Sequence, residues 1–460
     1  MRRPGLTPGG RLPRGLALFL AAVAAAGCGQ APRPSVRAPR NVLLVVVDTL
    51  RYDAGGGRDG SAETAIPASL RTRGRHFAQA LSAGIHTKPS MMALLTGFYA
   101  SESGLIVNGA KVLHPPGPML AERLQKAGFS TAAVVSNPNL VGQGLGFDRG
   151  FDSFDARMTG VEPNRPTGTR NAAETTDAAL AKLDGLSRQN RPWFLWVHYL
   201  EPHGPYRPPP SFFEVPADPG APLPVADSDF AGKGMIPRYQ FLPECRGRND
   251  YIARYRGYAP YAVSEAERLL AAVYASPALR DTIVIYTADH GEFLGEQDYW
   301  FQHGIRIDPV LFHVPLIVAA SPDESRSEEA RFVGHVDLVP SLLRLLGLPA
   351  ASTRGEDFFA LPPERRQPLL VENLALPGTV EMGVLQGESV LVESNREPPA
   401  EFVAGPSAWS ARRPSEPDLR RATDVLRPVL ARIRNTPAEI YTLTPEEIRT
   451  LRSLGYVGGS

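Results

Sequence analysis

The stretch Asn41–Thr49, NVLLVVVDT, is an unbroken apolar run rich in β-branched residues that ends abruptly in an aspartate and a threonine. A strand buried on one face alternates apolar with polar residues. A run without alternation predicts a strand covered on both faces, as in a parallel sheet. Runs of the same kind recur in TAAVVSN (131–137), WFLWVHYL (193–200), TIVIYTADH (282–290) and VPLIVAA (314–320). Helix-like segments stand between several of them, among them MLAERLQKAG (119–128), which stops at a glycine, and SEAERLLAAVYAS (264–276). The alternation predicts an α/β fold with a large, mainly parallel sheet between helices.

Outward from this pattern the chain becomes irregular. Residues 204–250 are rich in proline, glycine and polar residues and read as a surface insertion, a kind of loop that often shapes a substrate entrance. Beyond Leu361 the strand pattern weakens to one short strand in GVLQGESVLVES (383–394) and a helix near Asp418 to Arg434, so a smaller C-terminal α+β subdomain is expected.

At the N-terminus, Arg2, Arg3, Arg11 and Arg14 precede an apolar run from Leu16 to Ala26 that closes on AAGC, with Cys28 last. The run is short for a spanning helix, which needs about 20 residues, and its small residues before a cysteine fit a lipoprotein-type export signal. Cys28 is then expected to be lipidated and to hold the protein on the periplasmic face of a bacterial envelope. Cys245, the second of two cysteines, has no partner for an intramolecular disulfide and reads as a free thiol. The chain has 49 basic and 48 acidic residues; loss of 1–27 removes four arginines and leaves a net charge of about −3. That balance gives no reason to expect a nucleic-acid partner.

In open α/β sheets ligands bind beyond the carboxyl ends of the strands. Polar residues collect there: Asp48 after the first strand, His203 in EPHGPY, and the adjacent Asp289 and His290 in ADHGE. His198, inside its apolar strand, reads as a core histidine. HTKPSMMALLTG (86–97) adds a threonine, Thr87, just ahead of Pro89, and proline is tolerated in the first turn of a helix because its missing N–H would be unpaired there. Thr87 therefore sits at a helix N-terminus, where free amides and the helix dipole attract an anion such as phosphate or sulfate. Two carboxylates, an imidazole and a hydroxyl oxygen make a site for one divalent metal ion: oxygen-rich ligation suits Ca, Mg or Mn, and the histidine admits Zn.

In their order, VVVDTLRYD, TKPSMMALLTG, GFDRGFDSFD, VHYLEPHGPY, TADHGEFLGE, HGIRIDPVLFHVPLIV, GHVDLVPSLLRLLGLP and the tail LTPEEIRTLRSLGYVGG resemble the sulfatase family, within the alkaline phosphatase superfamily. The resemblance implies a mixed, largely parallel sheet between helices followed by a subdomain with a short antiparallel sheet. It implies Asp48, Asp289 and His290 as metal ligands together with the Thr87 oxygen, Thr87 at the nucleophile position, and His203 and His303 as contacts to the anionic group of the substrate. The chain departs from the family pattern at several points. Thr87 replaces the cysteine or serine that is converted to formylglycine, and Met91 replaces the arginine of the C/S-x-P-S/A-R motif. Thr49 stands where many members have a second aspartate and His290 where many have asparagine. Gly304 occupies the place of a lysine, and VVSNPNL that of a GKWHLG-like stretch.

The expected organisation is a signal over 1–27, a linker over 28–40, a catalytic domain over 41–360 and a subdomain over 361–460. Two functions follow as alternatives: a metal-dependent hydrolase or transferase acting on phosphate, phosphonate or sulfate esters through Thr87, with phosphoesters favoured, or a non-catalytic relative binding an anionic glycan or lipid at the envelope. The address is tested by Cys28→Ala, which should move the protein from the membrane fraction to the soluble fraction on immunoblots; unchanged membrane association would reject lipidation.

Overall fold

A computed structural model describes residues 41–435 apart from 55–61, 104–115, 142–144, 163–164, 229–230, 280, 322, 361–364, 366, 375–379 and 406–407. The signal, Cys28, the linker and the C-terminal tail lie outside the described residues. The opening run forms β1 (Asn41–Val47), and all seven of its residues are buried, so both faces of the strand are covered. Around it lies an eight-stranded sheet made with β2 (Arg75–Leu81), β3 (Ser130–Val135), β4 (Ser153–Asp155), β5 (Trp193–Tyr199), β6 (Thr282–Ala288), β7 (Leu316–Ala319) and β8 (Ser327–Gly334). Its order is β8-β2-β7-β6-β1-β5-β3-β4. β1 pairs in parallel with both β5 and β6, while β7 runs antiparallel to both of its neighbours, β6 and β2. The sheet is therefore mixed and mainly parallel, in agreement with the sequence pattern.

Helices follow where the sequence carries helical signals. α1 (Thr87–Thr96) is buried along its whole length and ends at Gly97, whose φ of 76° is the left-handed conformation that glycine adopts without a Cβ clash. α2 (Leu120–Lys126) and α3 (Ala172–Ser187) follow, and Asn171 caps α3 by accepting from the Glu174 amide. α4 (Arg248–Ala275) is far longer than SEAERLLAAVYAS alone indicates: it begins within the expected insertion and continues through Pro260. The rest of that insertion is held down by buried side chains, among them Tyr206, Ile236, Tyr239 and Leu242. α5 (Leu338–Leu345) packs against α1, and α3 packs against α4.

The C-terminal part forms an antiparallel five-stranded sheet, β9 (Leu370–Asn373), β10 (Glu381–Gln386), β11 (Ser389–Ser394), β12 (Ala400–Ala404) and β13 (Trp409–Arg412), with α6 (Glu416–Asn435). The single strand expected in GVLQGESVLVES is in fact the hairpin β10–β11, turned at Gly387 with φ 59°. A second apolar core joins this sheet to the main domain: Val371, Met382 and Val390 cluster with Ile85, Leu311 and Phe312. Backbone contacts reinforce it, since the Glu372 amide donates to Ala83 O at 2.9 Å and its carboxylate accepts from the amide of Ser101. Among the described residues no helix is long and apolar enough to cross a membrane.

One buried ion pair ties the ends of β3 and β4. Arg170 donates to Asp155 Oδ1 at 2.9 Å, Val135 O at 2.8 Å and Ser136 Oγ at 3.0 Å, and both charged side chains are nearly inaccessible. Removing one member of a buried pair strands the other charge. Arg170→Ala should lower the unfolding free energy by about 3 kcal/mol, the low end of that range because Arg157 still reaches Asp155. Urea denaturation monitored by tryptophan fluorescence measures this.

Candidate functional site

The parallel register builds the site. Val47, the last residue of β1, pairs with Tyr199 on one side and with Ala288 on the other, so three adjacent strands end at one level. The next residues are Asp48 and Asp289, which the register places side by side at the carboxyl edge of the sheet. Asp48, Asp289 and His290 are buried, and one ligand atom from each lies within 4.8 Å of the others, a group able to hold a metal ion.

The turn after β1 is held in an unusual conformation. Thr49 has φ 53°, a left-handed value that a β-branched residue rarely adopts. Its amide donates to Asp289 Oδ1 at 3.0 Å, and its carbonyl accepts from the Tyr255 hydroxyl of α4 at 2.8 Å. Asp289 Oδ1 also accepts from the amide of His290 at 2.8 Å. Asp289 Oδ2 is buried and accepts no hydrogen bond among the described residues. It lies 3.6 Å from His290 Nε2 and 3.9 Å from His198 Nε2. A buried carboxylate oxygen without a donor is costly unless a cation meets it. Burial raises the Asp289 pKa, with His198 the main opposing influence. These observations fit a divalent cation held by Asp48, Asp289 and His290.

Thr87 opens α1, with His86 in extended conformation as its cap residue, and its hydroxyl is 3.4 Å from His290 Nε2. The loop that delivers it is pinned by Ser82 and Ser90, whose hydroxyls both donate to Gly84 O, at 2.6 and 2.8 Å. Met91, where the family motif has arginine, points its apolar side chain into the main core and adds no charge.

His203 and His303 come to the same place: their ring centroids are 5.2 Å apart, and His290 and His303 are 4.5 Å apart. His290 Nδ1 faces Gly291 O at 2.9 Å and His203 Nδ1 faces Gly204 O at 2.8 Å. A carbonyl cannot donate, so both rings carry the proton on Nδ1 and present Nε2 as an acceptor. Burial, with His303 next, pushes His290 down to about 3, and burial pushes His303 down to about 4, so the rings are neutral at pH 7.

Four neighbours were not evident from sequence. Asn137 Nδ2 donates to Asp48 Oδ2, and its Oδ1 accepts from the Asn139 amide, so the NPN turn after β3 orients a carboxylate of the site. The signal, a polar turn directly after a buried strand, was present in VVSNPNL. His86 stacks edge-on to His303 with centroids 6.0 Å apart. Glu292 contacts His303 Nδ1 at 3.1 Å. His198 is buried in its strand as a core residue would be, yet it stands beside Asp289. Cys245, half-buried and with its thiol pushed up by burial to about 11, takes no part.

A mixed sheet with acids at its carboxyl edge and a threonine at a helix N-terminus defines an alkaline phosphatase-like α/β fold. Solved structures share it: the phosphonate monoester hydrolase of Silicibacter pomeroyi superposes with a TM-score of 0.63 at 21% identity, covering 88% of this chain and 98% of that one. The chain belongs to the sulfatase family, whose model matches residues 40–348. Similar proteins include the choline-sulfatase of Rhizobium meliloti, 25% identical over 73% of this chain and 74% of that protein. The multifunctional alkaline phosphatase superfamily protein PehA of Trinickia caryophylli is 22% identical over 67% of this chain and 74% of its own length.

Elemental analysis of the purified chain should find one tightly bound divalent ion, and Asp289→Ala should empty the site; two tightly bound ions per chain would overturn the single-ion reading.

Proposed function

We propose that this protein is a divalent-metal-dependent ester hydrolase or transferase that uses Thr87 as nucleophile and prefers phosphate or phosphonate esters to sulfate esters. The observation that carries the reading is the Thr87 hydroxyl, buried at the N-terminus of α1 and 3.4 Å from His290 beside the two buried aspartates. The names of the relatives, a choline-sulfatase and a phosphonate monoester hydrolase, point to anionic tetrahedral esters as the substrate class.

The preference follows from the chemistry of one hydroxyl. A formylglycine hydrate has two: one attacks sulfur, and the other expels sulfate as the aldehyde re-forms. Threonine lacks that elimination route, so a sulfated Thr87 would be released only by attack at sulfur. At phosphorus the path stays open. Thr87 Oγ1 forms a bond to phosphorus as the bond to the ester oxygen breaks, and the leaving group departs with the electron pair and takes up a proton. Water or an acceptor hydroxyl, positioned by His203 and His303, then attacks the phosphothreonine. The new P–O bond forms as the P–Oγ1 bond breaks, the attacking group loses a proton and Thr87 regains one. Asp48, Asp289 and His290 would hold a divalent cation, which would supply positive charge favouring the Thr87 alkoxide and the charge on the transferring group. The amides at the start of α1 add a fixed dipole in the same sense.

A second reading has one observation behind it. Met91 leaves the motif arginine's place apolar, which favours a relative that binds an anionic glycan or lipid without turning it over. We place either activity at the bacterial envelope through lipidated Cys28.

Metal-reconstituted protein assayed on aryl phosphate mono- and diesters and aryl sulfate tests both readings. Thr87→Ala should abolish phosphodiester turnover, and Thr87→Ser should retain part of it. Repeated turnover of aryl sulfate with phosphoesters untouched would sink the mechanism, and cleavage of neither would favour the binding protein.

A further inference from the structure

We propose that Glu292 is a positioning residue: it fixes the imidazole of His303 with its proton on Nδ1 and its Nε2 lone pair facing the reacting group. Glu292 and His303 flank a two-stranded hairpin in which Phe293–Leu294 pairs with Trp300–Gln302. Phe293 is the register partner of Gln302, so the hairpin brings the residue before one strand against the residue after the other. That clip sets His303 Nδ1 at 3.1 Å from Glu292 Oε1, with both side chains essentially inaccessible.

The backbone around the pair leaves little room for another arrangement. The Gly291 amide donates to Leu311 O at 2.8 Å, and a Cβ at Gly291 would stand 1.9 Å from Val310 O. Glu292 O accepts from Arg51 Nη1 at 3.2 Å, and that guanidinium is itself held by Asp53 and Glu296. On the other side Gly304 has φ 75°, and the His86 ring fills the space a side chain would take, 1.9 Å from a Cβ built there.

Glu292 stands outside the Asp48–Asp289–His290 group, so its route to the chemistry runs through the ring it touches. The contrast with the other imidazoles is chemical. His290 and His203 direct Nδ1 at backbone carbonyls, whereas His303 directs it at a carboxyl group. A carboxyl oxygen that accepts from Nδ1 leaves the far nitrogen as the acceptor, and in the carboxylate form, which a cation on the neighbouring ligands would favour, Glu292 accepts more strongly than a backbone carbonyl. The other polar neighbour of Glu292 is the buried Tyr206 hydroxyl, and burying an acid between a phenol and an imidazole is an expensive way to hold a hairpin together. Its arrangement explains why DHGE and the later histidine occur together: one loop carries a metal-type ligand and, two residues on, the partner of a substrate-facing ring.

Two measurements test this, and only the second rests on the function proposed above. In nitrogen-15 spectra of histidine-labelled chain, with the His303 signal identified by its loss in His303→Gln, wild-type His303 should be protonated on Nδ1. Glu292→Gln, whose amide can donate to Nδ1, should shift the proton to Nε2. A wild-type ring protonated on Nε2 overturns the proposal without need of any variant, and so does an unchanged spectrum in a folded Glu292→Leu, which offers Nδ1 no acceptor. With an aryl phosphodiester, intact-mass analysis of Glu292→Gln should show the phosphoryl adduct formed at the wild-type rate, while steady-state kcat falls by about 10- to 100-fold, the usual effect of losing such a partner. Equal loss in both phases, or in neither, overturns the positioning role. A wild type that forms no adduct and turns over no ester rejects the proposed function, and the tautomer measurement then decides the present inference by itself.

Discussion

Two carboxylates sit side by side at the buried end of a parallel sheet, and the rest of the site answers to that fact. Adjacent parallel strands ending in register leave Asp48 and Asp289 no freedom to separate. Like charges at such range and burial cannot both stay ionised without compensation. Donors take up part of the charge: Asn137 on Asp48, and the amides of Thr49 and His290 on Asp289. The left-handed turn at Thr49, a conformation that costs about 1–3 kcal/mol, is retained because it aims one of those amides. What the donors leave over is a requirement for positive charge, which a divalent cation would meet.

Distance along the chain is bridged by packing. The loop Ser82–His86, which presents Thr87, is fixed from below by the Ser82 and Ser90 hydroxyls and from the side by the C-terminal sheet, where Glu372 pairs with Ala83 and Gly84. The second apolar core continues from Ile85 into β9–β11. The C-terminal sheet thus acts as a brace on the loop that presents Thr87. Without it, α1 would keep its buried helix, but the residue ahead of its first turn would lose the contacts that define its position.

The sheet was legible because burial on both faces abolishes alternation, and the resulting apolar runs at 41–47, 193–199 and 282–288 have no other economical explanation. Asp48, Asp289 and His290 were legible because a charged residue directly after such a run has few structural uses. Thr87 and His203 carried weaker signals, and His303 entered through family resemblance. What escaped was set by tertiary geometry: the hairpin register that joins Glu292 to His303, the turn that aims Asn137, and the strand pairing that stands His198 3.9 Å from Asp289. The β10–β11 hairpin was read as one strand because GESVLVES offers a single glycine where a two-residue turn usually shows a stronger pair. The extent of α4 was hidden by its polar, arginine-rich first half and by Pro260, which reads as a break in isolation.

Neutral imidazoles are the complement of the acidic edge. Burial pushes His198 and His303 down to about 4, with His290 adding to the effect on His198, so around pH 7 these rings add no charge of their own beside the two aspartates. Burial also pushes Glu292 up to about 8, and a cation bound on the neighbouring ligands acts in the opposite sense, favouring its carboxylate form. A cation held by Asp48, Asp289 and His290 would thereby also strengthen Glu292 as the acceptor beside His303. A lysine at the Gly304 position would break this balance in two ways. It would place a permanent charge beside rings kept neutral by burial, and its side chain would need the space that the His86 ring occupies. The glycine therefore fits a site whose imidazoles are kept neutral by burial and whose positive charge a divalent cation on Asp48, Asp289 and His290 would supply.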